Sequence, residues 1–425
     1  MEESPREAVG RLKVLVLDEE IPDPPNAGKR IRTWNILRRL ALRHDVSLLC
    51  YGEASAAAAA IEAAGIHLRT VPPPPNLAGW RLYAALLRNL LSPHPFSVAK
   101  HYSERFQKEF NALLEEEAWD AIHCEWTPYA RFLPPRLSVP VVIATHNVES
   151  QIWARRASHT ANPIAKFFFR TQEWKMRWFE RRVLRRAAVA TAVTPADVET
   201  IRNWGVDCVR LVPNGVDAES LASAPGAERE DEILFLASLD WFPNVDALDY
   251  FTRDIFPLVR EARANATLRI VGRRPADSLQ QRMAGIAGVE FVGEVEDVRP
   301  SLERAGVVAV PLRIGGGSRL KILEALAAGK AVVSTSVGAE GLDLEPGTHL
   351  LIGDSPREFA RCICRLSSSP AERRRLGENG RGLVTERYGW DGIAQRMESV
   401  WLEAAKRVRA EAPAGSTDRE APVAS

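Results

Sequence analysis

Residues 311–342 read PLRIGGGSRLKILEALAAGKAVVSTSVGAEGL. Gly315, Gly316 and Gly317 give a stretch where backbone can approach a ligand closely, because no Cβ intervenes. Ser318 follows as an N-cap residue type, and a helix is expected to start there. A helix N-terminus offers free N–H groups and the positive end of a dipole, which suits an anion. Arg319 and Lys321 add two cations beside that end. A guanidinium grips phosphate oxygens bidentately, and an ammonium supplies a point charge. The combination suits a diphosphate. Glu324 lies further along the same helix, where its carboxylate can accept from both hydroxyls of a ribose. The plainer alternative is a solvated Glu three residues from Lys321.

Other loops carry candidates. EEIPDPPNAGKRIRTW places Gly28 beside Lys29, Arg30 and Arg32, and Gly28 and Arg30 are the candidates there. An ordinary surface loop is the alternative. Thr145-His146-Asn147 follows the apolar run VPVVIA, which puts His146 at a strand tip where it can hydrogen-bond a ligand. A structural histidine is the alternative. Gly293-Glu294-Val295 follows VEFVG, and Gly272-Arg273-Arg274 follows LRIV as either a ligand-facing loop or a solvated basic one.

These loops need elements to hold them. Short Val/Ile/Leu runs recur: 12–18, 45–50, 121–125, 139–145, 189–193 and 209–213, then 232–238, 268–272, 289–294, 307–312, 331–336 and 349–353. Each is followed by a helical pattern, as in 32–44 with Ile36, Leu37, Leu40 and Leu42. Continuous apolar strands separated by helices mean parallel sheets covered on both faces. Two such series mean two doubly wound α/β domains, with ligands beyond the carboxyl ends of the strands. The boundary falls in 217–231, where ESLASAPGAERED is small, polar and non-periodic. Residues 54–64 read as an Ala-rich surface helix.

Glu324 opens EALAAGKAVV (324–333), which resembles the LEAMAxGxPVV segment of retaining GT-B glycosyltransferases of the family-4-like group. Val212-Pro213-Asn214-Gly215-Val216-Asp217 is similar to that family's PNGVD, and LFLASLDWFPNVD (234–246) to the start of its C-terminal domain. The resemblance spans roughly residues 10–405. It implies a GT-B fold: two Rossmann-like α/β domains facing across a cleft. The expected division is an acceptor-side domain over 1–217, a nucleotide-sugar domain over 218–390, a helix over 391–409 packing back on the first domain, and a disordered tail over 410–425. It implies transfer of a sugar from a nucleotide-diphosphate sugar to a glycan or lipid-linked acceptor, with retention of configuration. Arg319, Lys321 and His146 are then the catalytic candidates. Gly315, Gly316, Gly317, Ser318, Glu324, Gly293 and Val295 would bind the donor, the last two against the base. Gly28 and Arg30 would approach acceptor and donor phosphates. Many members carry E-x7-E, and here Gly316 stands where the first Glu belongs, so the sequence resembles a branch with a GGGSRLK loop. The C-domain opening also lacks the family's Arg and Lys between residues 238 and 246, which leaves Arg319 and Lys321 to supply the diphosphate charge. A nucleotide-sugar epimerase of the same architecture, or a non-catalytic nucleotide-sugar-binding protein, is the alternative.

Composition bounds the rest. Lys plus Arg number 56 against 55 Asp plus Glu, a balance that argues against a nucleic-acid partner. No D-x-D pair occurs, so no metal or other cofactor is expected. Cys50, Cys124, Cys208, Cys362 and Cys364 are few and scattered, as buried thiols in a reducing compartment would be. The N-terminus is polar and acidic, and no run reaches the roughly 18 apolar residues of a membrane span. A cytoplasmic protein is expected, with peripheral contact at the inner membrane surface as a further expectation. Residues 166–186 (KFFFRTQEWKMRWFERRVLRR) and 76–91 (NLAGWRLYAALLRNLL) are the basic-aromatic and amphipathic stretches that would make such a contact. The plainer reading of both is a packed helix with solvated arginines.

Overall fold

The computed structural model describes residues 10–25, 28–53, 55–221, 228–273, 275–314 and 319–411. The first half folds around a parallel sheet of β1 (Lys13–Glu20), β2 (Asp45–Tyr51), β3 (Ile66–Val71), β4 (Ala121–Cys124), β5 (Val141–Thr145), β6 (Val189–Ala192) and β7 (Val209–Leu211), in the order β3-β2-β1-β4-β5-β6-β7. The second half repeats the plan with β8 (Arg229–Leu236), β9 (Thr267–Val271), β10 (Val289–Gly293), β11 (Ala305–Val310), β12 (Val332–Ser334) and β13 (Leu351–Ile352), in the order β10-β9-β8-β11-β12-β13. Both sheets are doubly wound about a central strand, β1 in one and β8 in the other. Their carboxyl ends therefore supply the loops in which the candidates lie.

Alternation along β1 explains how one strand feeds two cores. Leu15 and Leu17 enter a cluster with Phe106, Phe110, Tyr129 and Met176. Val14 and Val16 point to the other face and join Ile36, Leu37, Met397 and Trp401. That second face is covered by two helices distant in sequence, Gly28–Leu40 and Trp390–Glu411. The C-terminal helix thus returns to the first sheet. Its return crosses beside the outgoing linker: Val216 N–H donates to the Tyr388 carbonyl at 2.8 Å. At Gly215 an added Cβ would lie 2.6 Å from the Trp390 ring, so a side chain there would separate the crossings.

Several elements differ from expectation. β3 is an edge strand with alternating burial, and its sequence IHLRTV lacks the continuous apolar run that marks the buried strands. β8 starts at Arg229, inside the stretch read as linker. The Ala-rich helix occupies Ala56–Ala63, capped by Ser55 accepting from Ala58 N–H. All five cysteines are free. The tail beyond 411 lies outside the described residues. The packed reading holds only in part for two helices: Met176, Phe179, Val183 and Leu184 enter the core, but several aromatics do not. On Gly79–Leu90, Trp80 is 75% exposed; on Pro163–Leu184, Trp174 is 70% exposed. Phe168 and Phe169 of the second helix do pack, against Trp153.

Candidate active site

The cleft between the sheets holds a cavity of about 650 Å³, well inside the size range of small-molecule sites. Gly28, Ile31, Ile152 and Arg155 line it from the first half, and Ser238, Asn244, Arg273, Val295, Arg319, Lys321 and Glu324 from the second. The halves meet closely at Gly28, where a Cβ would lie 3.1 Å from Leu320 Cδ1.

The helix carrying the principal candidates runs Leu320–Ala327. Arg319 takes the N-cap position expected of Ser318 and makes no side-chain cap bond, and an end without a bonded cap settles a residue away from its assigned start. Gly315, Gly316, Gly317 and Ser318 lie outside the described residues. Lys321 Nζ donates to Asn244 Oδ1 at 2.6 Å, and Asn244 is fixed by donating to the Ser238 carbonyl at 2.8 Å. Burial and the nearby Arg319 guanidinium push the Lys321 ammonium down to about 7, against the opposing pull of Glu324. Burial pushes the Glu324 carboxyl up to about 7, with Lys321 acting the other way. Arg319 donates to the Val337 carbonyl at 2.8 Å and stands 3.5 Å from the Glu340 carboxylate. Burial brings it down to about 10. Burial makes both cations costly to charge, and a negatively charged ligand would offset that cost.

The neighbouring loops complete this wall. A Cβ at Gly272 would fall 2.1 Å from the Ala237 carbonyl oxygen, so glycine lets the ends of β8 and β9 come together. That approach allows Arg273 Nε to donate to Ser238 Oγ at 2.5 Å on the cavity rim. Gly293 has φ +82°, and beyond this turn Val295 lines the cavity. Asn244 is the residue the sequence reading missed. Its signal was a lone amide in the first turn of the helix after β8, in a loop searched only for cations.

The first half treats its charges differently. Lys29 Nζ lies 2.6 Å from Asp18 Oδ1 and 3.1 Å from Glu19 Oε2. Arg30 is paired with Glu20 and does not line the cavity. The acidic triplet 18–20 at the end of β1 draws in Lys29 and also Arg30, which was read as a ligand contact. His146 is turned the same way. Its Nε2 lies 2.6 Å from the Glu125 carbonyl oxygen and 3.3 Å from Glu125 Oε1, and it is not among the cavity-lining residues. Glu125 is 1% exposed and also meets His123 Nε2 at 2.7 Å. Trp401 Nε1–H donates to His123 Nδ1 at 2.8 Å, which leaves Nε2–H to donate to Glu125. Burial alone would raise Glu125, but the hydrogen bonds from His123 and His146 outweigh it and hold the carboxyl well below its usual range. Arg32 continues the network, 3.6 Å from Glu125 and bonded to the Pro213 carbonyl at 2.7 Å and Asn214 Oδ1 at 2.8 Å, where the chain leaves the first half. Among the described residues, no group of three His, Cys, Asp or Glu is placed to hold a metal ion.

Comparison with known proteins accords with this geometry. Residues 27–215 match the model of the glycosyl transferase 4-like domain, and residues 230–369 that of glycosyl transferases group 1. The phosphatidyl-myo-inositol mannosyltransferase of Mycolicibacterium smegmatis is 31% identical over 73% of this chain and 78% of its own length. The protein of that name from Mycobacterium leprae is 30% identical over 53% of this chain, and the match spans 60% of its length. Among solved structures, the sucrose-phosphate synthase of Thermosynechococcus elongatus superposes with a TM-score of 0.69 at 18% identity, over 95% of this chain and 100% of that one. Anabaena HepE in complex with UDP and glucose gives 0.64 at 14% identity, over 92% and 99%. Two parallel-sheet domains joined at a cleft, matched in sequence on both sides of it, place the chain in the group 1 glycosyltransferase family with the GT-B fold.

Proposed function

We propose that the chain moves a sugar from a nucleotide-diphosphate sugar to a hydroxyl of a glycan or lipid-linked acceptor, with retention of anomeric configuration and without a metal. The Lys321–Asn244–Glu324 arrangement on the cavity wall carries this reading. The bond between the anomeric carbon and the β-phosphate oxygen breaks. The acceptor oxygen bonds to that carbon, and its proton passes to the departing diphosphate. Negative charge grows on the diphosphate in the transition state, so Lys321, Arg319 and the helix N-terminus act where charge develops. Glu324 accepts from the ribose hydroxyls, Gly293 and Val295 pass the base, and Arg273 lies on the rim of the same pocket. Gly315, Gly316, Gly317 and Ser318 are assigned to the donor from their place in the sequence just before Arg319. Gly28 leaves room at the acceptor side. His146 orients the first-half wall through Glu125 rather than touching the sugar from its Nε2. Two fixed cations supply the charge that a divalent ion supplies elsewhere.

Thermal stabilisation by UDP, GDP, ADP and dTDP tests the reading. One-site binding at 100 times Kd adds about 2.7 kcal/mol. One nucleotide is expected to stabilise the chain, with the effect lost in Lys321→Ala. The relatives are named as mannosyltransferases of an inositol lipid, so a mannose donor and a lipid-borne polyol are the first pair to assay. No response to any nucleotide would overturn the assignment.

A further inference from the structure

Thirteen large hydrophobic side chains are exposed among the described residues, and nine of them lie on two helices, Gly79–Leu90 with Leu91 just beyond it, and Pro163–Leu184. On the first, Trp80, Tyr83, Leu87, Leu90 and Leu91 recur at helical spacing. On the second, Ile164, Phe167, Trp174 and Trp178 do the same. At about 100° per residue each set falls within an arc of roughly a quarter turn or slightly more, so each helix presents one apolar stripe. The helices are joined. Gln172 Nε2 donates to Asn89 Oδ1 at 2.9 Å, and Lys175 Nζ donates to the Asn89 carbonyl at 2.6 Å and the Leu90 carbonyl at 3.1 Å. This buried polar junction holds the two helices side by side on the first domain.

Charge is segregated on the same surface. The two helices hold eight Lys and Arg against two Glu, in a chain whose totals are 56 and 55. Both acids are withdrawn: Glu180 is buried under the Glu149–His159 helix N-terminus, and Glu173 is paired with Arg170 and Arg177. Among the described residues of these helices, the exposed charges are all positive, Arg81 and Arg88 on one, Lys166, Arg170, Arg177, Arg181 and Arg182 on the other. Arg182 lies over the Trp178 ring at 5.2 Å, an aromatic body with a cationic head above it.

We propose that this surface docks on an anionic lipid bilayer, its aromatic stripes in the interface and its flanking cations at the headgroups. A helix that lies in a membrane surface has this division, apolar on one side with Lys and Arg beside it. A symmetric second copy of the chain would set cations against cations, since an isologous contact pairs a patch with itself. Among the described residues no helix is long and apolar enough to cross a membrane, so the contact is peripheral.

The test uses the full chain and vesicles that hold neither donor nor acceptor, so its outcome is independent of the transfer reading. Sedimentation is expected with equal parts phosphatidylglycerol and phosphatidylcholine, and not with phosphatidylcholine alone. Arg88→Glu with Arg181→Glu is expected to lower partitioning about tenfold or more, and added salt to weaken the wild type. Trp80→Ser with Trp174→Ser is expected to abolish sedimentation while leaving the melting temperature unchanged, because both side chains are already in water. Equal binding to neutral vesicles, no binding to anionic ones, or binding insensitive to both pairs of substitutions would overturn the proposal. So would a dimer in lipid-free solution that the Trp substitutions dissociate, which would assign the surface to a second copy.

Discussion

Lys29 and Lys321 are each the second residue of a helix whose start borders the cleft, and each is largely withdrawn from water. Their surroundings move them in opposite directions. Burial lowers Lys29, but Asp18 and Glu19 overcome that and raise it above its usual value. Burial, with Arg319 nearby, lowers Lys321 to about 7, and its ammonium donates to a neutral amide, that of Asn244. The first lysine belongs to the architecture, because its counter-charges come from the chain. The second is compensated only in part, by Glu324, and an anionic ligand would complete the set. Cations at the two carboxyl ends look alike in sequence, and the difference between them is where the carboxylates are.

Breaking the comparison begins with Lys29. Lys29→Met leaves Asp18, 2% exposed, beside Glu19 with no cation between them. Removing one partner of a buried pair costs about 3 kcal/mol or more. A chemical-denaturation midpoint is expected to fall accordingly, with nucleotide affinity of the folded fraction unchanged. Lys321→Ala should do the reverse. Loss of one charge-stabilising donor typically lowers turnover about 10²–10³-fold, with no fall in the denaturation midpoint. If Lys29→Met proved stable and inactive, the roles assigned to the two lysines would be exchanged.

Much of this frame was legible beforehand. Runs such as VVAVPL and VPVVIA are buried on both faces, and apolar continuity is the signal such strands leave. The Leu320–Ala327 helix and its Arg319, Lys321 and Glu324 were legible because anion chemistry there is local, within six residues. What was not legible depends on long-range pairing. The Trp401–His123 bond joins residues 278 apart in sequence, and neither neighbourhood hints at the other. His146 was read as free for a ligand because Glu125, twenty-one residues earlier, lies on another strand's tip. Arg30 was misread for a local reason: Glu20 stood in plain view ten residues away and was not weighed as a partner. The two amphipathic helices showed their pattern in sequence, but not whether another element would cover it.

The electrostatic contrast sharpens further with pH. Lys321 has a folded pKa of about 7 against an ordinary value of 10.5, so the folded chain binds fewer protons between those values and its stability contribution rises with pH there. Protonating Lys321 without a ligand is therefore destabilising below about pH 7. Lys321→Met is expected to raise the melting temperature at pH 6, with the gain shrinking toward pH 10 (roughly, from the linkage relation). Lys29 lies the other way, so Lys29→Met should show no such gain at either pH.

The smallest effect is the most specific. In the proposed reading a bound donor needs Lys321 charged and Glu324 ionised, yet burial brings both groups to about 7. Binding at about pH 8 should take up a proton at Lys321, and binding at about pH 6 should release one from Glu324, with the two nearly cancelling in between. A nucleotide sugar is the right probe, because its diphosphate lacks the terminal phosphate ionisation near 6. Calorimetry in buffers of different ionisation enthalpy reads the proton count directly. Glu324→Gln should erase the release and keep the uptake, and Lys321→Met the converse. A proton count flat across this range in the wild type would mean that the ligand does not sit between these two groups, and Lys321 would then be only a lysine bonded to Asn244.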